Sequence, residues 1–198
     1  MITTVVFDIG NVLMKFDYRS YIRELFGDRP DGLHACNAIW ESGLWTELDR
    51  GADTQQVLDQ MIAMDPNYKE AILRAFENAG GTMHKYDYAI PWIQEVKRRG
   101  YQVLYLSNYS SFARQAKPEV LDFLPYMDGG VFSYKVRLIK PDPEIYRALC
   151  EQYALKPENC VFIDDMEDNV DAARELGFHA IRFVNHQQAE KQLELLLQ

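Results

Sequence analysis

The stretch Val5-Val6-Phe7-Asp8-Ile9-Gly10-Asn11-Val12, near the amino terminus, constrains the fold more than any other. Three apolar, mostly β-branched residues read as a buried strand, and the carboxylate, glycine and asparagine that follow require the backbone to turn. Asp8 therefore stands where a strand ends. In open parallel α/β sheets that edge is where ligands bind, although a lone Asp after a strand also serves simply as a turn cap. The choice between the two depends on residues far downstream.

The next segment of equal strand character, Tyr101-Gln102-Val103-Leu104-Tyr105-Leu106, begins about ninety residues later, whereas a bare βαβ unit needs only ~30. The surplus reads as an inserted helical cap over residues 16–88. Tyr18, Tyr21, Ile22, Leu25 and Phe26 fall at helical spacing before Gly27, and Val57, Leu58, Met61 and Ile62 do so after the Asp53-Thr54 start signal. Tyr68, Ala71, Ile72, Ala75 and Phe76 form another stripe, stopped by Gly80-Gly81, while Leu33 to Leu48 is broken by Gly43. Four helices with short loops predict a small bundle. Its aromatic residues Tyr18, Trp40, Trp45 and Tyr68 read first as core and second as pocket lining.

From Ile90 the rhythm becomes α/β. A helix between Pro91 and Gly100 leads into the strand at 101–106, which stops at Ser107-Asn108. Gly130-Val131-Phe132-Ser133 reads as a short strand, Val136 to Lys140 as a loop, and Asp142-Pro143-Glu144 as a helix start. Cys160-Val161-Phe162-Ile163 is a strand ending in Asp164-Asp165. A helix over 167–176, a strand over 180–184 and a Leu-rich helix complete the chain. This alternation predicts a doubly wound parallel sheet, built from residues 1–15 and 89–198.

The 198 residues are 47% hydrophobic and carry a formal charge of −9, with no concentrated run of Lys and Arg. That balance argues against nucleic-acid and anionic-membrane partners. Cys36, Cys150 and Cys160 show no metal or disulfide spacing, and no apolar run is long enough to span a bilayer, so a cytoplasmic location is expected. His34, His84, His179 and His186 lack ligand-like spacing and read as structural or surface residues.

Three strands thus end in polar groups: Asp8, Ser107-Asn108 and Asp164-Asp165. Were they neighbours, three carboxylates would share one rim of the sheet and repel one another unless a cation were present. Mg²⁺ suits such hard oxygen donors and keeps places for water and phosphate. A hydroxyl at the mouth of the second strand, followed by a helix start, forms a cradle for an anion, and Lys140 before Pro141 offers a mobile positive charge. Together these groups describe a phosphoryl-transfer site.

In order, Phe7-Asp8-Ile9-Gly10-Asn11-Val12, Leu106-Ser107-Asn108, Ile139-Lys140-Pro141-Asp142-Pro143-Glu144-Ile145-Tyr146 and Phe162-Ile163-Asp164-Asp165-Met166-Glu167-Asp168-Asn169 resemble the four motifs of the haloacid dehalogenase superfamily. The resemblance covers the whole chain and implies a Rossmann-like core with an α-helical cap. The Gly-Asn-Val first motif and the Asp-Asp-three-residues-Asn last motif are similar to the branch that holds α-D-glucose-1-phosphate phosphatase and the phosphatase-like domains of epoxide hydrolases.

The resemblance implies a role for each residue. Asp8 would be the nucleophile, passing through an aspartyl-phosphate. Ser107 and the Asn108 amide would hold the phosphoryl oxygens, and Lys140 would neutralise charge on phosphate and Asp8. Asp8, the Gly10 carbonyl and Asp165 would hold Mg²⁺; Asp164 would be a further ligand or a base; Asn169 would orient the loop or Lys140. The expected partner is a small phosphorylated metabolite, a sugar phosphate such as a hexose 1-phosphate, acted on by a monomer or weak homodimer.

One position departs from the pattern. Gly10 stands where phosphatases of this kind carry a second Asp as general acid and base, a group contributing roughly 10² to 10⁴ in rate. The enzyme then either recruits another group or prefers leaving groups that need less help, and the second is expected here. Two further readings are a phosphate-binding or regulatory pseudoenzyme of the same fold and a metal-independent 2-haloacid dehalogenase. The paired Asp164-Asp165 argues against the dehalogenase, and the joint presence of Asp8, Lys140 and Asp165 argues against the pseudoenzyme.

Overall fold

The computed structural model describes residues 1–197. Strand β1 (Thr4–Phe7) leads into β2 (Met14–Phe16). Helices α1 (Tyr18–Phe26), α2 (Pro30–Cys36), α3 (Leu44–Asp49), α4 (Thr54–Met64) and α5 (Lys69–Glu77) follow before β3 (Met83–Lys85). Then come α6 (Ala89–Arg98), β4 (Gln102–Ser107), α7 (Ser111–Ala116), β5 (Gly129–Phe132), α8 (Ser133–Val136) and α9 (Pro143–Tyr153). The chain closes with β6 (Cys160–Asp164), α10 (Glu167–Glu175), β7 (His179–Arg182) and α11 (His186–Leu196). Asp17, Asp53, Ser110, Asp142 and Asn185 cap their helices through side-chain oxygens.

Five strands form a parallel sheet in the order β5-β4-β1-β6-β7. Alternation along each strand serves both faces. Val5, Phe7, Val103, Tyr105, Val161 and Ile163 pack with α6 and α11. Val6, Leu104, Leu106 and Phe162 pack with Ile145, Tyr146 and Leu149 of α9. A sheet covered on both sides needs continuous apolar strands, and burying each such side chain contributes about 1.5–3 kcal/mol. Polar residues are therefore confined to the strand ends.

Register determines where those ends meet. Phe7 lies opposite Tyr105 on one side and Ile163 on the other, and the Asp8 amide donates to the Ile163 carbonyl at 2.8 Å. Asp8, Ser107-Asn108 and Asp164-Asp165 thus share one carboxyl-terminal edge. The chain runs from β1 outward through β4 and β5 and then returns to the far side of β1, so this edge also holds the switch point where α/β ligands bind.

The segment between β2 and β3 packs around its own cluster, with Tyr21, Ile39, Met61, Ile72 and Phe76 at its centre. It contains five helices rather than the expected four. Pro30 starts α2 at its first position, a π-turn over Asn37–Glu41 extends it, and Gly43 at φ +83° forces a new start for α3. The segment is entered and left through the antiparallel ribbon of β2 and β3, in which Phe16 pairs with Met83 and Met14 with Lys85. No local pattern announces these three-residue strands, whose pairing is entirely non-local.

Candidate active site

β1 delivers Asp8 to the rim, where its Oδ1 accepts from the Ile9 amide at 2.7 Å and meets Lys140 Nζ at 2.8 Å. Oδ2 makes no hydrogen bond among the described residues and belongs to a carboxylate lining a cleft of about 210 Å³. Lys140 also contacts Asp164 Oδ2 at 2.6 Å. Its side chain is 1% exposed. The expectation of a mobile charge is corrected by this geometry: an ammonium that has left water must remain against its carboxylates. Its backbone is equally fixed, because Asn108 Nδ2 donates to the Lys140 carbonyl at 3.0 Å while Asn108 Oδ1 accepts from the Lys140 amide at 2.8 Å.

Asp164 is fully buried and its two oxygens are occupied. Besides Lys140 they accept from Asn169 Nδ2 at 3.0 and 3.1 Å and from the Met166 amide at 2.8 Å. Asn169, on α10, is itself anchored where its carbonyl accepts from Tyr146 Oη at 2.9 Å. Asn169 thus holds Asp164, which holds Lys140. Asp165 points instead to the cleft and accepts from Asn11 Nδ2 at 3.1 Å. Asn11 adopts φ +55°, a left-handed conformation that Asn tolerates better than most residues, and its Oδ1 accepts from the Phe16 amide at 3.0 Å. This side chain therefore ties the loop after β1 to the end of β6.

Ser107 ends β4 and is buried, and its hydroxyl makes no hydrogen bond among the described residues. The capping duty falls to Ser110, whose Oγ accepts from the Ala113 amide at 3.0 Å. Gly10 lines the cleft, and a Cβ built there would meet nothing within 4 Å.

Asp8, Asp164 and Asp165 each offer an oxygen, all within 4.8 Å of one another. One ammonium faces these three carboxylates, and burial together with the neighbouring charge shifts Asp8 and Asp165. Burial lifts Asp8 to about 7, Lys140 opposing and Asp164 and Asp165 assisting. Burial and then Asp164 lift Asp165, against its hydrogen bond from Asn11. Burial alone would lower Lys140, but Asp164 and Asp8 outweigh it and raise the ammonium. Hard oxygen donors with uncompensated negative charge fit a divalent cation such as Mg²⁺.

Sequence reasoning missed Asn11 and Asp49. Asp49 is the last residue of α3 and lines the cleft with Asp8 and Lys140. Gly51 at φ +84° closes α3, its amide bonding the Leu48 carbonyl while the Ala52 amide bonds that of Glu47. Burial, with the charge of Asp8 adding and Lys140 opposing, pushes Asp49 up to about 8. Within Thr46-Glu47-Leu48-Asp49-Arg50 it reads as one more solvated charge at a helix end, and only the glycine that follows hints at a packed turn. Of the aromatic candidates, Trp45 lines the cleft with Phe16. Tyr18 stacks on Trp40 at 5.4 Å, and Tyr68 stacks on His34 at 3.6 Å. His84 is exposed and bonds the Gly81 carbonyl.

A parallel sheet carrying this carboxylate-lysine rim under a helical insertion defines a class of hydrolase, and residues 2–177 match the model of the haloacid dehalogenase-like hydrolases. The chain belongs to that family. It is 26% identical to phosphatase MT3486 of Mycobacterium tuberculosis, covering 90% of this chain and 86% of that protein. It is also 26% identical to D-ribitol-5-phosphate phosphatase of Bacteroides thetaiotaomicron, over 100% of this chain and 99% of that one. A HAD-family enzyme from the same bacterium, solved with magnesium and inorganic phosphate, superposes with a TM-score of 0.70 at 24% identity, covering 92% of this chain and 94% of the other. That last likeness concerns the fold.

Proposed function

We propose that this protein is a Mg²⁺-dependent phosphatase of small phosphorylated metabolites, acting through an aspartyl-phosphate on Asp8. The observation that carries the reading is the state of the Asp8 carboxylate. Oδ1 is held by the Ile9 amide and Lys140, which leaves Oδ2 uncommitted. A carboxylate held on one side only is oriented for attack by its other oxygen. Lys140, fixed by Asp164, neutralises charge on the entering phosphate, and Ser107 with the Asn108 amide receives phosphoryl oxygens. Asp8, the Gly10 carbonyl and Asp165 would hold Mg²⁺, which when bound supplies charge neutralisation to the transferring phosphoryl group.

The cleft supports a small substrate. At about 210 Å³ it lies below the range of drug-sized sites, which suits a sugar phosphate better than a nucleotide. Phe16 and Trp45 offer apolar faces for sugar C–H groups. Two relatives are named as phosphatases, one of them for D-ribitol 5-phosphate, and hexose 1-phosphates belong to the same substrate class.

The test is phosphate release from p-nitrophenyl phosphate, hexose 1-phosphates, hexose 6-phosphates and nucleotides, with Mg²⁺ or EDTA, for wild type and Asp8→Asn. Turnover that needs Mg²⁺ and disappears in Asp8→Asn is expected. A folded protein inert toward every phosphate would instead be the pseudoenzyme.

A further inference from the structure

Gly10 leaves the first motif without its general acid, and where the sequence led to an expected preference for easy leaving groups, the cleft points to the other alternative, a recruited group. We infer that Asp49 is the general acid and base of this enzyme, brought to the reacting phosphate by the seating of α3 on the core. The inference rests on the phosphatase reading and adds a residue to it.

Three observations support it. Asp49 lines the same cleft as Asp8, yet its carboxylate makes no hydrogen bond or ion pair among the described residues. Every other carboxylate at this site has one: Asp8 and Asp164 meet Lys140, and Asp165 meets Asn11. An uncommitted carboxyl in a catalytic cleft remains free to exchange a proton with substrate.

The second observation is how Asp49 is placed. The Tyr109 amide, just past the phosphate-binding end of β4, donates to Ser133 Oγ at 2.9 Å, and that hydroxyl donates to the Asp49 carbonyl at 2.6 Å. One serine thus fastens the cap residue to the loop that receives phosphate. A Cβ at Gly51 would lie 2.7 Å from the Tyr134 carbonyl, so the turn after Asp49 approaches the core as closely as only glycine permits.

The third is the vacancy opposite. Gly10 supplies no acid, although a Cβ there would meet nothing within 4 Å. Burial, which holds Asp49 protonated up to about 8, suits a donor at neutral pH.

The proton balance closes. As Asp8 Oδ2 attacks phosphorus, the bond from phosphorus to the leaving-group oxygen breaks, and that oxygen takes the proton of Asp49. Ionised Asp49 then accepts a proton from water as the water oxygen attacks phosphorus. The bond from phosphorus to Asp8 breaks, releasing inorganic phosphate, and Asp49 is again protonated.

The test compares leaving groups in the presence of Mg²⁺. Asp49→Asn is expected to lose roughly 10² to 10⁴ in kcat/KM on hexose 6-phosphate, whose alkoxide must be protonated. On p-nitrophenyl phosphate it should lose less than about tenfold in the same parameter, releasing nitrophenolate as a burst followed by slow turnover. Gly10→Asp in the Asp49→Asn background should restore hexose 6-phosphate hydrolysis. Equal losses on both substrates, or none on either, would overturn the assignment. Should Asp49→Asn fail to fold, the wild type carries the test across a series of aryl and alkyl phosphates. Near-insensitivity of kcat/KM to leaving-group pKa supports an internal acid, and a steep fall overturns it. Failure of the phosphatase reading looks different, since the wild type would then release phosphate from neither substrate.

Discussion

Asn108 grips Lys140 by both backbone groups, donating to its carbonyl at 3.0 Å and accepting from its amide at 2.8 Å. The lysine is therefore located from behind by an amide side chain as well as from in front by Asp8 and Asp164. Asn108→Asp removes the donating half and sets a carboxylate against a carbonyl. Because misplacing a catalytic group by about 1 Å costs on the order of 10²-fold, kcat should fall by about that factor while Mg²⁺ affinity changes little. Steady-state kinetics with Mg²⁺ titration separates the two, and an unchanged kcat would show that the clamp has no bearing on turnover.

Lys140 also stabilises the fold. Lys140→Met leaves Asp8 and the fully buried Asp164 without their cation. Breaking a buried pair from one side costs about 3–5 kcal/mol, on the order of 10 °C in Tm for a chain of this size. A metal-free thermal melt checks the value, and Mg²⁺ should recover part of the loss.

The raised carboxylates predict how stability follows pH without metal. Asp8 and Asp49 ionise near 4 in the unfolded chain but at about 7 and about 8 in the folded one. Between those limits the folded state holds more protons than the unfolded state, so stability falls as pH rises from 4 toward 8. Mg²⁺ competes with those protons and should raise Tm more at pH 8 than at pH 5. Melts at the two pH values, with Mg²⁺ and with EDTA, test the sign.

Gly51 limits how closely the helical segment seats on the core. Gly51→Ala asks a β-carbon to occupy φ +84° and to sit 2.7 Å from a backbone carbonyl that has no flexible end to move. The left-handed conformation alone costs about 1–3 kcal/mol, and the clash displaces α3. KM should rise and kcat fall together with a Tm lower by roughly several degrees, whereas Gly100→Ala, where a Cβ meets nothing within 4 Å, should lower Tm and leave kinetics unchanged.

Much of this molecule is legible without coordinates. The apolar runs ending at Asp8, Ser107 and Asp164 mark three strands, because a strand buried on both faces excludes polar residues until it reaches the rim. Asp53 and Asp142 announce their helices, because a cap acts over only three residues of chain. The order of Asp8, Lys140 and Asp165 is legible in the same way, since residue type constrains what a group can donate or accept.

Tertiary structure alone decided the rest. The β2–β3 ribbon joins residues far apart in the chain through pairing with no local signature. Lys140, in a loop by sequence, is held in place only once Asp8 and Asp164 close on its side chain and Asn108 closes on its backbone. Asp49 resembles any solvated helix-end charge until Ser133 and Gly51 seat it at the cleft that Asp8 also lines. Sequence determines which groups exist and which local conformations they favour. The distance between groups from separate segments, and hence the solvation and charge each one feels, comes into being only when those segments pack.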